Sequence, residues 1–375
     1  MTNPSPVHHR EAARPPARSA ATHRVPASLA ARACRWLRHA AQAPGVASAI
    51  STLKTVSALG ALVILLPQQA ALAQGGTWPA KPVHLVIGFA PGGNPDLLAR
   101  MIAPRMAELL GGQILIDNKP GSNGNIGADL VAKAAPDGYT LFLSDTSTYS
   151  IGPHIYAKLP FDTLRDFTPI VQIAVPPMYV VVNAALPVTS MQELVAWAKA
   201  NPGKLAYASA GNGSIHHLTT ELFRSQTGID IVHVPYKGSG QSAPALIAGD
   251  VQMAFIGWTS VNQGVRAGRL RAIGFASGRR SLMNPDLPTI AETVAPGFDV
   301  SSPMGIAGPA GLPREIVERV QNAALEAARA PETRARMLQI GLEMADGTAE
   351  VYAATIRTDY DKFGRIARLV GLKLD

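Results

Sequence analysis

Apolar and polar residues alternate with two different periods along the chain from residue 81 onward. Residues 81–89 form an apolar run of strand length, and Asn94 with Pro95 suits the start of a helix. The apolar residues that follow at helical spacing are Leu98, Met101, Ile102 and Leu109. Strand-like runs at 113–116 and 140–143 flank another glycine-rich helix start at 121–124. This β-α-β-α-β order predicts an α/β domain with a parallel sheet covered by helices.

A second alternating series begins after residue 186. Ser190 and Glu193 have the spacing of a capping box, which predicts a helix that ends near 201–203. Strands are predicted at 205–208, 229–234, 251–256 and 270–275, with helices near 215–225, 241–248 and 261–267. The second domain is therefore also predicted to be α/β.

Two extended stretches connect these series. Residues 168–186 are β-rich and interrupted by Pro176-Pro177, and residues 298–309 form a second stretch marked by proline and glycine. Helices predicted at 313–329 and 349–369 then complete the first domain. The predicted lobes are 74–175 plus 300–375 and 176–299. Two crossing strands at a hinge would leave a cleft between them, which is a preferred place for a ligand.

The first 73 residues have the pattern of an N-terminal extension and signal peptide. Basic residues precede an apolar run at 56–66, and Ala71-Leu72-Ala73 fits a cleavage site. The run is shorter than the ~20 residues that span a bilayer, and a retained membrane anchor is the alternative. We expect the mature protein to begin at Gln74. Because Cys34 is the one cysteine of the chain, this mature protein would lack cysteine, which excludes thiol catalysis.

The net charge of +8 suggests an anionic partner until its distribution is considered. Residues 1–54 contain eight basic side chains and one acidic side chain. Without this segment, the 34 basic and 26 acidic side chains of the whole chain fall to 26 and 25. The basic charge belongs to the predicted leader, so the sequence does not support nucleic-acid binding.

Two glycine-rich loops follow predicted strands and open predicted helices. Residues 90–94 form the first loop and residues 209–214 the second. Backbone amides without bulky side chains can approach an anion there, and the helix dipole favours negative charge. An ordinary tight turn is the alternative for each loop alone, and Asp96 is most simply a residue that caps the first helix. Two such loops on facing lobes predict a carboxylate held between helix ends.

Other motifs give no support for an enzyme, a metal or a cofactor. His216 and His217 are adjacent on a predicted helix, so they cannot face one metal ion, and His217 is expected to make a structural hydrogen bond. The glycines at 211 and 213 lack the third glycine of a dinucleotide fingerprint, and Ser209 is not in a nucleophile elbow. Tyr236 and Lys237 could place an ammonium group at the cleft or lie on the surface.

Several motifs together resemble one family. They are Trp78–Pro82, Phe89–Asp96 with Ala99-Arg100, Asp117–Gly121, Ala134–Leu141, Asp166–Pro169, Pro202–Leu205, Gly211–Leu218, His233–Gly238, Ala267–Arg271 and Pro309–Gly311. These residues resemble the Bug/TctC family, the extracytoplasmic solute receptors of tripartite tricarboxylate transporters. The resemblance covers essentially the whole predicted mature chain, and the segments at 134–141 and 233–238 are its most specific parts.

The resemblance implies a two-lobed periplasmic binding protein of the type II-like flytrap architecture. It implies a receptor in the periplasm that binds a small organic acid and delivers it to membrane permease subunits. We expect this receptor to be a monomer without catalytic activity, and its ligand to be an organic acid or an amino acid. The resemblance also places ligand recognition on the loops at 89–96, 145–148 and 209–214. With the basic loop after the strand at 229–234, the predicted ligand-binding residues are Phe89, Ala90, Pro91, Gly92, Gly93, Asn94, Asp96, Asp145, Thr146, Ser147, Thr148, Ser209, Gly211, Asn212, Gly213, Ser214, Tyr236 and Lys237.

Three residues depart from the family pattern. Asp145 stands where the family usually has a small hydroxyl residue, Gly152 where it usually has asparagine, and Pro303 where an aromatic residue is frequent. A carboxylate at 145 would disfavour a second acidic group on the ligand and could pair with an amine. This favours an amino acid or a mono-acid over a tricarboxylate. The alternative is that Asp145 turns away and caps the segment 146–149.

Two other function classes stay open from the sequence. The chain could present its ligand to a signalling partner as a sensing module, or it could be a periplasmic enzyme. A neighbouring sensor kinase would favour the first, and turnover of a metabolite by the purified protein would favour the second.

Overall fold

A computed structural model describes residues 78–374 of the chain. The predicted signal peptide, its cleavage site and Cys34 lie outside the described residues. The eleven strands are β1 (Val83–Ile87), β2 (Ile114–Asn118), β3 (Thr140–Asp145), β4 (Phe167–Val175), β5 (Met178–Asn183), β6 (Leu205–Ser209), β7 (Ile231–Pro235), β8 (Met253–Gly257), β9 (Leu270–Phe275), β10 (Met304–Pro309) and β11 (Glu343–Gly347).

Helices connect most of these strands. The α-helices are α1 (Asn94–Leu110), α2 (Asn125–Ala132), α3 (Thr146–Ser150), α4 (Gly152–Ile155), α5 (Met191–Ala200), α6 (Ile215–Thr227), α7 (Ser239–Ala248), α8 (Trp258–Arg266), α9 (Ile290–Thr293), α10 (Arg314–Arg329), α11 (Pro331–Gln339) and α12 (Ala349–Val370). A short 3-10 turn at Ser122–Gly124 precedes α2.

The strands form two separate sheets. The first sheet has the order β11-β4-β10-β3-β1-β2, and the second has the order β7-β6-β8-β5-β9. In the first sheet, β1 pairs in parallel with β2 and β3, whereas β10 runs antiparallel to both β3 and β4. In the second, β6 pairs in parallel with β7 and β8, and β5 is antiparallel. We call the parts of the chain packed on these sheets the first and second lobes.

The chain crosses between the sheets where the sequence predicts it. Strand β4 belongs to the first sheet and β5 to the second, with Pro176-Pro177 between them. The return crossing follows Val300, whose amide donates to the carbonyl of Ala276 at 2.8 Å, and leads into β10 of the first sheet. The predicted α/β architecture of two lobes with two crossing strands is confirmed.

The C-terminal helix α12 packs on both lobes rather than on the first alone. Tyr352 and Ile356 are buried with β-strand residues of the first lobe. Phe363 and Ile366 are buried in the core of the second lobe, against residues of α6 such as Leu218. The prediction that this helix completes the first domain therefore holds for its N-terminal half only, because the apolar stripe of a 22-residue helix is long enough to reach both cores.

Within residues 78–374, no helix combines the length and the hydropathy that crossing a membrane requires.

Candidate ligand-binding site

A cavity of about 1110 Å³ lies between the two lobes. It opens where β1 and β3 of the first sheet and β6 and β8 of the second reach their carboxyl ends. In open α/β sheets, this edge is where ligands generally bind. The sequence-predicted residues that line the cavity are Phe89, Ala90, Pro91, Gly92, Gly93, Asn94, Asp145, Ser147, Gly213, Ser214 and Lys237.

Four helices of both lobes begin at this cavity. Its lining residues Asn94, Ile215, Ser239 and Thr259 lie in the first turns of α1, α6, α7 and α8. The positive ends of these helix dipoles therefore converge on one space, which is a favourable arrangement for an anion. Two of these helices also touch across the cavity, since the Thr259 hydroxyl and the Asn94 side-chain oxygen are 2.9 Å apart.

The backbone N–H groups of Gly92 and Gly93 in the first glycine loop donate hydrogen bonds to neighbouring residues of the same lobe. The Gly92 N–H donates to the Asp96 carboxylate at 2.9 Å, and the Gly93 N–H donates to the Ala90 carbonyl at 3.3 Å. Asp96 is buried, and it also accepts from Arg100 at 3.0 Å and from Asn118 at 3.1 Å. Although burial alone would raise the pKa of Asp96, these hydrogen bonds hold it below its usual value. Asp96 therefore fixes the loop and does not line the cavity.

In the second glycine loop, the backbone N–H groups of Gly211 and Gly213 also donate to neighbouring side chains. The Gly211 N–H donates to the Ser209 hydroxyl at 3.1 Å, and the Gly213 N–H donates to Nδ1 of His217 at 3.2 Å. His217 thus makes the structural hydrogen bond that the sequence predicts. In this arrangement the N–H groups of Gly92, Gly211 and Gly213 are paired with neighbouring side chains and that of Gly93 with a backbone carbonyl, and binding of a ligand by these amides stays a prediction. Gly213 itself packs so closely on Ile155, with a positive φ of 73°, that a side chain would not fit.

The rings of Tyr207, His233 and His217 stack next to the second glycine loop. The His217 and His233 rings are 4.0 Å apart and nearly parallel, and Tyr207 stacks on His233 at 4.8 Å. Nε2 of His233 lies 2.7 Å from the Ser209 hydroxyl. Burial lowers the pKa of His233 to about 4, so the ring is neutral near pH 7. Ser209 and His233 do not line the cavity, and we assign them a supporting role.

First-turn amides, in contrast to the glycine amides, are available to a ligand. The backbone N–H groups of Asn94, His216 and Gly240 make no hydrogen bond within residues 78–374. Each belongs to a residue that lines the cavity. Sequence reasoning chose the glycine positions, whereas the helix starts just after them carry the free donors.

Asp145 combines the two alternatives that the sequence leaves open. The residue lines the cavity, and its side chain caps α3, since it accepts hydrogen bonds from the backbone N–H of Ser147, at 2.9 Å, and from the Ser147 hydroxyl. Burial raises the pKa of Asp145, and hydrogen bonds from Ser147, Thr148 and Ser302 partly oppose that rise. Asp145 is the acidic residue of the described lining, and Lys237, which is exposed, is the basic one.

The other predicted residues lie beside the cavity without lining it. The buried Thr146 hydroxyl donates to Asp359 at 2.6 Å, and the Thr148 hydroxyl donates to the Asn123 carbonyl at 3.2 Å. The predicted residues outside the described lining are Asp96, Thr146, Thr148, Ser209, Gly211, Asn212 and Tyr236. Residues that sequence reasoning missed include Ser122, Asn123, His216, Ser239, Thr259, Ser260 and Ser302. All of them except Ser302 lie in the segments that follow the carboxyl ends of β2, β6, β7 and β8, which is the signal that could have identified them.

A second set of contacts joins the lobes away from the cavity. Glu343 of β11 is buried, and it accepts from the Ser281 hydroxyl at 2.6 Å and from the Leu282 N–H at 2.8 Å. Gly341 packs on Trp258, with a positive φ of 81° and no room for a side chain. Within residues 78–374, no group of His, Cys, Asp and Glu side chains is arranged to hold a metal ion.

A family model described as "Tripartite tricarboxylate transporter family receptor" matches residues 98–372. The chain belongs to this family. Among curated relatives of this receptor family, an "UPF0065 protein in tcbD-tcbE intergenic region" of Pseudomonas sp. strain P51 is 37% identical over 290 residues, covering 77% of this chain and 86% of the relative. Protein BugT of Bordetella pertussis is 33% identical over 306 residues, covering 81% and 94%.

Solved structures of related receptors have the same architecture. The R. palustris protein Rpa4515 with adipate has a TM-score of 0.73 and 33% identity, covering 79% of this chain and 99% of that one. The periplasmic binding protein BugD has a TM-score of 0.71 and 28% identity, with 79% and 99% covered. MatC from Rhodopseudomonas palustris with bound malate has a TM-score of 0.70 and 28% identity, with 77% and 99% covered. The recognition of a Bug/TctC receptor from the sequence is confirmed.

Proposed function

We propose that this chain binds a small carboxylic acid in the cavity between its lobes and delivers it to a membrane permease. The observation that carries the proposal is the convergence of four helix N-termini on this cavity. Each terminus favours an anion by about 0.3–1 kcal/mol when exposed and up to ~2 kcal/mol when partly buried. Together with free first-turn amides, they form a site for at least one carboxylate.

The relatives support the chemical class of the ligand. Two related receptors were solved with adipate and with malate, which are small dicarboxylates, so they support binding of a carboxylate but not a preference for one carboxylate group. In this chain, Lys237 supplies one positive charge at the cavity, whereas Asp145 opposes additional negative charge. We therefore propose a mono-acid or an amino acid as the preferred ligand, ahead of a tricarboxylate.

The proposal includes the place and the form of the receptor. We propose that the mature chain works as a monomer in the periplasm, with lobes of 74–175 plus 300–375 and 176–299, of which the C-terminal half of α12 packs on the second lobe. No catalytic step is included, because reversible binding and release are sufficient for transport. Closure of the lobes would bring Asn94 and Thr259 together over the ligand, as they are in the present arrangement.

Titration calorimetry of the full chain tests ligand binding. We expect binding of small carboxylic acids such as propionate, lactate and glutamate, and no binding of the matched amides, which lack the charge. Lys237→Met should weaken binding about tenfold or more, the effect of losing one hydrogen bond to a charged group. Lys199→Met is the control, since Lys199 is an exposed lysine of α5 outside the cavity. Equal affinity for acids and amides would contradict the proposed anion site.

Uptake by the native host tests delivery. A strain without this receptor should lose uptake of the labelled acid that binds in calorimetry, and the wild-type gene should restore it. Normal uptake in the deletion strain, with tight binding in vitro, would contradict the transport role and leave the binding role intact.

A further inference from the structure

His216 is a polar cavity residue that the family comparison does not assign. It is the second residue of α6, directly after the second glycine loop, and it lines the cavity. Its neighbour His217 faces the ring stack, so the two adjacent histidines point in different directions. Within residues 78–374, Nδ1 of His216 is buried and has no hydrogen-bond partner. Nε2 also lacks a partner there and is not fully buried, and because His216 lines the cavity, we infer that Nε2 is the nitrogen that a molecule in the cavity reaches.

The protonation of this ring follows from its surroundings. Burial lowers the pKa of His216 to about 4, so the imidazole is neutral near pH 7 and carries one proton. A buried donor without a partner costs more free energy than a donor that can be solvated or bound by a ligand. The proton is therefore favoured on Nε2 rather than on the buried Nδ1. His216 then offers an uncharged N–H donor to the cavity.

We propose that His216 is a specificity-determining residue, which donates a hydrogen bond from Nε2 to an uncharged oxygen of the ligand. This inference rests on the proposed function, because the ligand's carboxylate is bound by the helix N-termini and Lys237. The ligand class is then a monocarboxylate that carries a hydroxyl, keto or amide oxygen. A neutral ring cannot balance a second carboxylate, and Asp145 in the same cavity adds a negative charge.

Matched ligand pairs and two variants test the inference by calorimetry. The pairs are lactate against propionate and levulinate against valerate, in which one member lacks the uncharged oxygen. His216→Gln keeps an N–H donor near the Nε2 position, and His216→Phe keeps a ring without any donor. We expect the wild type and His216→Gln to prefer the oxygen-bearing acid in at least one pair. His216→Phe should reduce that preference about tenfold, which corresponds to one hydrogen bond.

Each result has a separate meaning. The preference ratio within each pair is the readout, because any general effect of His216→Phe on carboxylate binding changes both members of a pair equally. The same preference ratio in the wild type and both variants would overturn the role of His216, as would the absence of any preference in the wild type. Failure of the wild type to bind any of the four acids would instead contradict the proposed function. If His216→Phe does not fold, His216→Ala removes the same donor and must show the same loss of preference.

Discussion

Glu343 lets us predict how contacts far from the ligand affect affinity. Its side chain is only 4% exposed, and its carboxylate joins β11 of the first lobe to the segment 281–282 of the second. In an open arrangement water would solvate this carboxylate, so the contacts favour the closed arrangement. We expect Glu343→Ala to weaken ligand binding although Glu343 does not line the cavity.

The size of the effect follows from the two hydrogen bonds. A hydrogen bond to a charged group contributes about 1.5–3 kcal/mol, but burial of the carboxylate on closure offsets part of that gain. Arg279 lies 3.6 Å from Glu343 and is mostly exposed, so it adds little. We therefore take the net contribution of these contacts to the stability of the closed arrangement as about 2 kcal/mol. When the closed form is a minor population without ligand, loss of this free energy raises the dissociation constant about 30-fold.

The assay combines calorimetry with small-angle X-ray scattering. Glu343→Ala should raise the dissociation constant of the ligand. At a ligand concentration that closes the wild type, the variant should keep a larger radius of gyration, because a smaller fraction of it is closed. The matched control is Asp346→Ala on the same strand, where the carboxylate pairs with Arg329 at 3.0 Å and both side chains are exposed. An unchanged dissociation constant in a folded Glu343→Ala protein, or an equal loss in the control, would refute the reasoning.

Three further results are expected. His233 is neutral in the folded protein and has a pKa of about 4 there, against about 6.5 when unfolded. In urea titrations, the contribution of His233 to the free energy of unfolding should be fully present above pH 6.5 and should fall by about 1–2 kcal/mol toward pH 4. The fall is modest because the half-buried ring is partly screened by solvent. His233→Phe should remove this contribution to the pH dependence of the free energy of unfolding. Asp145→Ser keeps a good helix cap but removes the charge, so calorimetry should show tighter binding of succinate and adipate with little change in stability; an unchanged rank order of acids would contradict this. Asp96→Ala removes the acceptor of the Gly92 N–H, of one Asn118 N–H and of Arg100, and it should lower the free energy of unfolding by about 2–4 kcal/mol in urea. A loss below about 1 kcal/mol would argue against the role of Asp96 in fixing the loop.

The alternation of strand and helix patterns predicted most of the fold because each buried strand and amphipathic helix carries a strong local signal. The crossing at Pro176-Pro177 was also readable, since proline interrupts a long β-rich stretch. Strand β11 was missed because it is a short edge strand with a polar sequence, and its register is irregular. The helices α3 and α4 are too short for an apolar period to appear.

The location of the site was more predictable than its hydrogen bonds. Both glycine loops do reach the cavity, since a loop after a parallel strand must emerge at the carboxyl edge of the sheet. The occupation of their amides could not be predicted, because it depends on where Asp96 and His217 turn in three dimensions. The sequence places His216 and His217 side by side on one helix, but it does not show which of them lies on the cavity side of α6.

The C-terminal helix gives the two lobes a third mechanical connection besides the crossing strands. Its N-terminal half is fixed in one core by Tyr352 and its C-terminal half in the other by Phe363. An α-helix resists bending, so a rod embedded at both ends restricts the lobes to small-amplitude twisting and flexing. The free receptor then samples fewer relative orientations, and less configurational entropy is lost when a ligand draws the lobes together. A larger share of the favourable free energy of ligand contacts in the cavity therefore contributes to the binding free energy of a small ligand.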